Sequence, residues 1–97
     1  MINFSYIHVP SNRKLESFTT EKLQKIQQST GTNRIHVTFK KIFDLKNRTR
    51  EVVNILISTS EKNICCEIES LKFKKSVGIA VNCLMNKLNK DDSLLSA

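Results

Sequence analysis

At 97 residues the chain has room for one small domain and not for two. Its 16 Lys and Arg against 9 Asp and Glu give a formal net charge of +7, an excess that attracts polyanions, nucleic acid first among them. It contains no apolar run of about 18 residues that could span a bilayer and no N-terminal apolar segment of the secretory kind, so we expect a cytoplasmic protein with no membrane partner.

In chain order, residues 2–8 alternate Ile2, Phe4 and Tyr6 against Asn3, Ser5 and Ile7, which predicts a half-buried strand. Pro10 suits a helix entrance, and Ser11 or Asn12 can cap it. In the following stretch, RKLESFTTEKLQKIQQST, Leu15, Phe18, Leu23 and Ile26 make an apolar stripe with Thr19 and Lys22 set into it. That is an amphipathic helix, ended near Gly31. Lys22 falls almost at the centre of the stripe, so it must snorkel or mark the rim where two helices meet.

From Asn33 the period returns to two. Ile35, Val37 and Phe39 face one way, and Arg34, His36, Thr38 and Lys40 face the other. FDLKNRTR reads as a polar hairpin connection. EVVNILIST is the next strand with Val53, Ile55 and Ile57 inward, and ICCEIES a fourth with Ile64, Cys66 and Ile68 inward. Phe73, Val77, Ala80, Val81, Leu84 and Leu88 then define a buried helical stripe. Gly78 weakens that helix by about 1 kcal/mol relative to Ala. Asp91 and Asp92 end the pattern. We therefore expect one domain over 1–91 and a frayed tail over 92–97.

The order β-α-β-β-β-α predicts an α+β fold. Strand one runs parallel to strand two, strands two to four form an antiparallel meander, and both helices cover one face of the four-stranded sheet. The other sheet face stays wet.

The sequence offers no active site. A phosphate-cradling glycine loop and a G-x-S-x-G elbow are both absent. The three cysteines, Cys65, Cys66 and Cys83, form no CxxC pair and lie far in sequence from His8 and His36, so zinc or another cofactor is not expected. They read as reduced thiols acting as small apolar residues. Glu67 and Glu69, about 7 Å apart on one strand face, read as cross-strand partners of Arg34, Lys40 and His36 rather than as an acid/base pair. We expect a binding protein without enzymatic activity or small-molecule substrate.

The basic residues come from three segments that the topology can bring together. Lys14, Lys22 and Lys25 lie on or beside the stripe of the first helix. In the second helix Lys72, Lys87 and Lys90 follow one flank, Lys75 lies further round, and Lys74 sits on the other side. The hairpin adds Lys40, Lys41, Lys46, Arg48 and Arg50. Ordinary solvated charge is the plainer alternative. Against it, Glu16 and Glu21 are the only acids within the first helix, and the second has none before Asp91. We assign an RNA-phosphate surface of weak base specificity to Lys14, Lys22, Lys25, Lys72, Lys75, Lys87, Lys90, Lys41, Arg48 and Arg50. Most of the six aromatic residues have core positions, which favours structured over unpaired RNA.

The stretch YIHVPSNRKLESFTTEKLQKI resembles the entry and first helix of the ribosome hibernation promoting factors, also called ribosome-associated inhibitors or sigma-factor modulation proteins. His8, Lys14, Leu15, Phe18, Lys22, Leu23, Lys25 and Ile26 match the pattern. FKKSVGIAVNCLMNKLNK is similar to the family's last helix at Phe73, Ala80, Val81, Leu84, Lys87, Leu88 and Lys90, and the resemblance covers about residues 2–90. The sequence departs from the pattern at Lys74, Lys75 and Gly78, where acidic or small residues are usual, and at Asp91 and Asp92, where a basic extension often follows.

The resemblance implies a short, single-domain ribosome-silencing factor of the stress response. Such a factor is monomeric off the ribosome. It binds the small ribosomal subunit and its RNA in the decoding region, where it occludes the mRNA path and the tRNA sites. A general double-stranded RNA binder is the second reading. A protein-interaction module that pairs through an edge strand, insensitive to salt, is the third.

Overall fold

The computed structural model describes residues 2–31, 34–60 and 62–96, with side chains described as far as residue 88. Alternation produces the strands β1 (Ile2–Ile7), β2 (Arg34–Phe43), β3 (Thr49–Ser58) and β4 (Asn63–Ser70). The two apolar stripes produce the helices α1 (Arg13–Thr30) and α2 (Phe73–Ser96). The sheet order is β1-β2-β3-β4, with β1 parallel to β2 and the remaining pairs antiparallel. This is the expected α+β fold with both helices on one sheet face.

Local chemistry sets the ends of α1. The Asn12 side-chain oxygen accepts from the Leu15 N–H at 3.1 Å, satisfying one of the orphan donors of the first turn. Gly31 takes the left-handed conformation at φ 65°, and its N–H donates to the Gln27 carbonyl at 2.8 Å. The backbone of α2 continues to Ser96, past the Asp91–Asp92 pair where the apolar pattern stops. An apolar stripe marks where a helix packs, not where its backbone hydrogen bonding ends.

The core lies between the sheet and the helices. Leu23, Ile26, Val37, Phe39, Val53, Ile55, Ile57, Val77, Ala80 and Leu84 are fully enclosed. Phe39 sits among three other rings, with Phe4, Tyr6 and Phe73 at centroid distances of 6.0, 5.5 and 5.4 Å. Thr19, set in the α1 stripe, is buried and gives its hydroxyl proton to the Leu15 carbonyl at 2.8 Å, so it costs no unmade hydrogen bond.

Strand pairing fixes a consequence for function. β4 runs in the same direction as β1 and β2, because two antiparallel steps separate it from β2. Both helices follow upward strands and run back down, so their N-termini open at the same end of the molecule. There they meet the β1–α1 and β4–α2 turns.

Candidate nucleic-acid interface

The sheet's open face answers its own charge. The Lys40 ammonium is 3.3 Å from Glu67, and the Arg50 guanidinium is 3.2 Å from Glu69. Glu67 thus pairs with Lys40, one of the partners expected from the sequence, whereas Glu69 pairs with Arg50, which was outside the expected set. Val52, which the alternation places on this wet face, is only 3 % exposed, flanked there by Lys40, Glu69 and Arg50. Their aliphatic stems shield it while the charged heads stay in water.

In the hairpin and at the strand ends Arg48 and Lys41 are also paired, whereas Lys46 joins no ion pair among the described residues. Arg48 is 3.0 Å from Asp44, whose carboxyl is held below the usual carboxylate range, first by the Arg48 backbone N–H. Lys41 is 3.9 Å from Glu51.

The helices present the opposite picture. Lys14, Lys22, Lys25, Lys72, Lys74 and Lys75 are all exposed, and none of them joins an ion pair among the described residues. On α1, Lys14, Phe18, Lys22 and Lys25 follow one flank of the stripe over roughly 16 Å of helix. Glu16 lies on the other flank, where it accepts from the Tyr6 hydroxyl. Lys22 does mark the rim between the helices. Its ammonium lies 5.5 Å from the Phe18 ring centroid, and that of Lys74, from α2, lies 5.6 Å from the same ring. The interhelical face is therefore built from Lys14, Phe18, Lys22, Lys25 and Lys74, with Lys75 on the outer surface of α2 and Lys72 at its entrance.

The ten residues assigned from sequence separate accordingly. Lys14, Lys22, Lys25, Lys72 and Lys75 have no carboxylate partner among the described residues. Lys41, Arg48 and Arg50 are each paired with a carboxylate. Lys87 lies on the β4 side of α2, where its ammonium donates to the Cys65 carbonyl at 2.7 Å, so it does not border the interhelical face. Lys90 lies outside the residues whose side chains are described. Lys74, left off the sequence-based set, is at the centre of the face.

Among the described residues no nucleophile, base and orienting carboxylate come together. The Ser5 hydroxyl and the His36 ring lie 2.8 Å apart, but both stand on the flat sheet face, and no carboxylate orients the ring among the described residues. Cys65 contacts Asn54. No group of three or more His, Cys, Asp or Glu that could hold a metal ion occurs among the described residues. No helix among them is long and apolar enough to cross a membrane.

Fold and face together define a class: a βαβββα domain with two parallel helices on one side of its sheet and a lysine face between them. The particular likenesses include two solved structures. A ribosomal subunit interface protein from Coxiella burnetii superposes with a TM-score of 0.80 at 23 % identity, over 95 % of this chain and 97 % of that one. The N-terminal domain of Thermus thermophilus Protein Y superposes with a TM-score of 0.68 at 11 % identity, over 91 % of this chain and 93 % of that one. These likenesses show that the chain has their fold. No family model and no curated protein sequence matches the chain.

Proposed function

We propose that the protein is a ribosome-associated inhibitor that acts in the cytoplasm, binding the small subunit in its decoding region and blocking the mRNA path and the tRNA sites. One observation carries this reading. The six helix lysines from Lys14 to Lys75 have no acidic partner within the described structure, whereas Lys40, Lys41, Arg48 and Arg50 each have one. A cation already paired has little left to give a phosphate. An unpaired one binds by releasing condensed counterions. The shared fold with a ribosomal subunit interface protein supports a ribosomal partner.

On this reading the protein acts as a plug and transforms nothing. Small subunits sedimented with tagged protein through a salt series test the reading. The protein should travel with small subunits at low salt and leave them as salt rises. Failure to sediment with them at any salt concentration contradicts it. Equal competition by generic duplex RNA reassigns the protein as a general RNA binder. Association that ignores salt reassigns it as a protein-interaction module.

A further inference from the structure

We propose that the groove where the β1–α1 and β4–α2 turns meet holds one unpaired nucleotide of the RNA gripped by the interhelical lysines. This deepens the RNA-binding reading above and rests on it. The groove has a volume of about 610 Å³, within the range of roughly 300–1,000 Å³ common for small-ligand sites. Its wall is apolar at Val9, Pro10, Leu71 and Phe73. Leu71 is 65 % exposed, so an apolar side chain of this wall stands open to water.

The rim carries Lys14, Lys41, Lys72 and Lys74 against a single acid, Glu51. That acid is already engaged: one carboxylate oxygen accepts from the Phe73 N–H at 2.7 Å, and the other lies 3.9 Å from the Lys41 ammonium. Lys14, Lys72 and Lys74 have no carboxylate partner among the described residues, and both helix N-termini add positive potential at this end.

These two features together select the ligand. A bare phosphate or an acidic peptide leaves Leu71 uncovered. An apolar peptide strips water from three ammonium groups and returns no counter-charge. A nucleotide satisfies both, with its base on the apolar wall and its phosphates on the lysines. Lys74 also makes the groove continuous with the interhelical face, since it lines the groove and reaches the Phe18 ring. An RNA strand lying along Lys25, Lys22 and Lys74 therefore leads into the groove.

The test uses three fluorescent RNA duplexes of one sequence: fully paired, with a one-nucleotide bulge, and with an abasic bulge. Binding is read by anisotropy at 50 mM salt. Wild-type protein is expected to bind the bulged duplex about tenfold more tightly than the paired or abasic ones, the scale of one base contact. Leu71→Ser should bring the three within about twofold of each other while leaving paired-duplex affinity unchanged. Lys22→Gln/Lys25→Gln should weaken all three alike and keep the preference. Equal wild-type affinity for bulged and paired RNA overturns the groove and leaves the lysine face standing. A preference shared by the abasic bulge, or surviving Leu71→Ser, also overturns the groove, because it then comes from duplex shape. Binding to none of the three overturns both the groove and the RNA reading.

Discussion

The Lys74 ammonium of α2 stands 5.6 Å from the centroid of the Phe18 ring of α1. This contact marks which flank of α2 turns toward α1, a rotation set by the burial of Val77, Ala80 and Leu84. Lys74 and Lys87 are 13 residues apart, about 140° around the helix at 100° per residue. With Lys74 against α1, Lys87 is directed to the sheet edge, where it meets the Cys65 carbonyl. The ring's negative face offsets part of the repulsion between Lys74 and Lys22, which share it.

A double-mutant cycle measures that contact. Lys74→Gln should cost about 0.5–1 kcal/mol in the wild-type background and close to nothing in Phe18→Leu, which keeps apolar bulk but removes the ring. Equal costs in the two backgrounds, from urea melts, would show that the ring does not hold Lys74.

The core prediction concerns Leu84, which has no solvent exposure. Leu84→Asp places a carboxylate among Val77, Ala80 and the inward side chains of the sheet. It should cost more than roughly 3 kcal/mol, a large part of a small domain's stability. Circular dichroism should show an unfolded or heavily destabilised chain. A native-like melting curve would contradict the packing of α2.

Most of this fold was legible because its signals are local. Alternation in β2 to β4 gave the inward set correctly, and Thr19 lay where the α1 stripe put it. The candidate site was half legible. A helical stripe has two flanks, and periodicity alone does not say which one meets a neighbour. Lys87 was therefore grouped with the α1 lysines and Lys74 set aside. The signal that could have found Lys74 is its spacing, four residues before Gly78 and seven before Val81, both half-buried. The pairing of Arg48 and Arg50 was less accessible, since it depends on turn geometry at Asp44 and on the register that brings Glu69 near β3. Val52 was hidden because its cover consists of charged side chains, which alternation counts as solvent.

Glu51 gives a prediction with opposite signs in two measurements. Its carboxylate accepts the Phe73 N–H at the start of α2. Glu51→Ala should lower stability by about 1–2 kcal/mol through the lost cap, while the Lys41 pair adds little. RNA affinity should rise, because the groove loses its one acid. A parallel fall in both would mean that Glu51 acts only through folding.

Alkaline stability is the test for Cys66. Burial, then a hydrogen bond with Cys83, pushes its thiol up to about 12. An unfolded chain releases that proton near the ordinary thiol value of about 8.5. The stabilising contribution is therefore fully present below about pH 8.5 and is lost as pH rises toward 12. Cys66→Ala should make the fall of stability with pH in this window shallower, by up to one proton or about 1.4 kcal/mol per pH unit. Identical slopes for the two proteins would contradict the burial of that thiol.

On the function proposed above, unpaired helix lysines, and not the paired cations of the sheet, grip ribosomal RNA. The direct measurement is the salt dependence of binding to purified small subunits for wild-type protein and two variants. One replaces Lys14, Lys22, Lys25 and Lys74 with Gln, and the other replaces Lys40 and Arg50 with Gln. Each phosphate contact contributes nearly one unit to the log–log slope on the duplex scale. The helix variant should therefore flatten the slope by roughly two to four units while staying folded, because Gln retains much of the apolar stem and nearly the same helix propensity, and its melting temperature should fall only by the few degrees that the lost Lys74–Phe18 contact accounts for. The sheet variant should change it by less than about one unit. A larger effect from the sheet pair, or no effect from either variant in folded protein, would contradict the account.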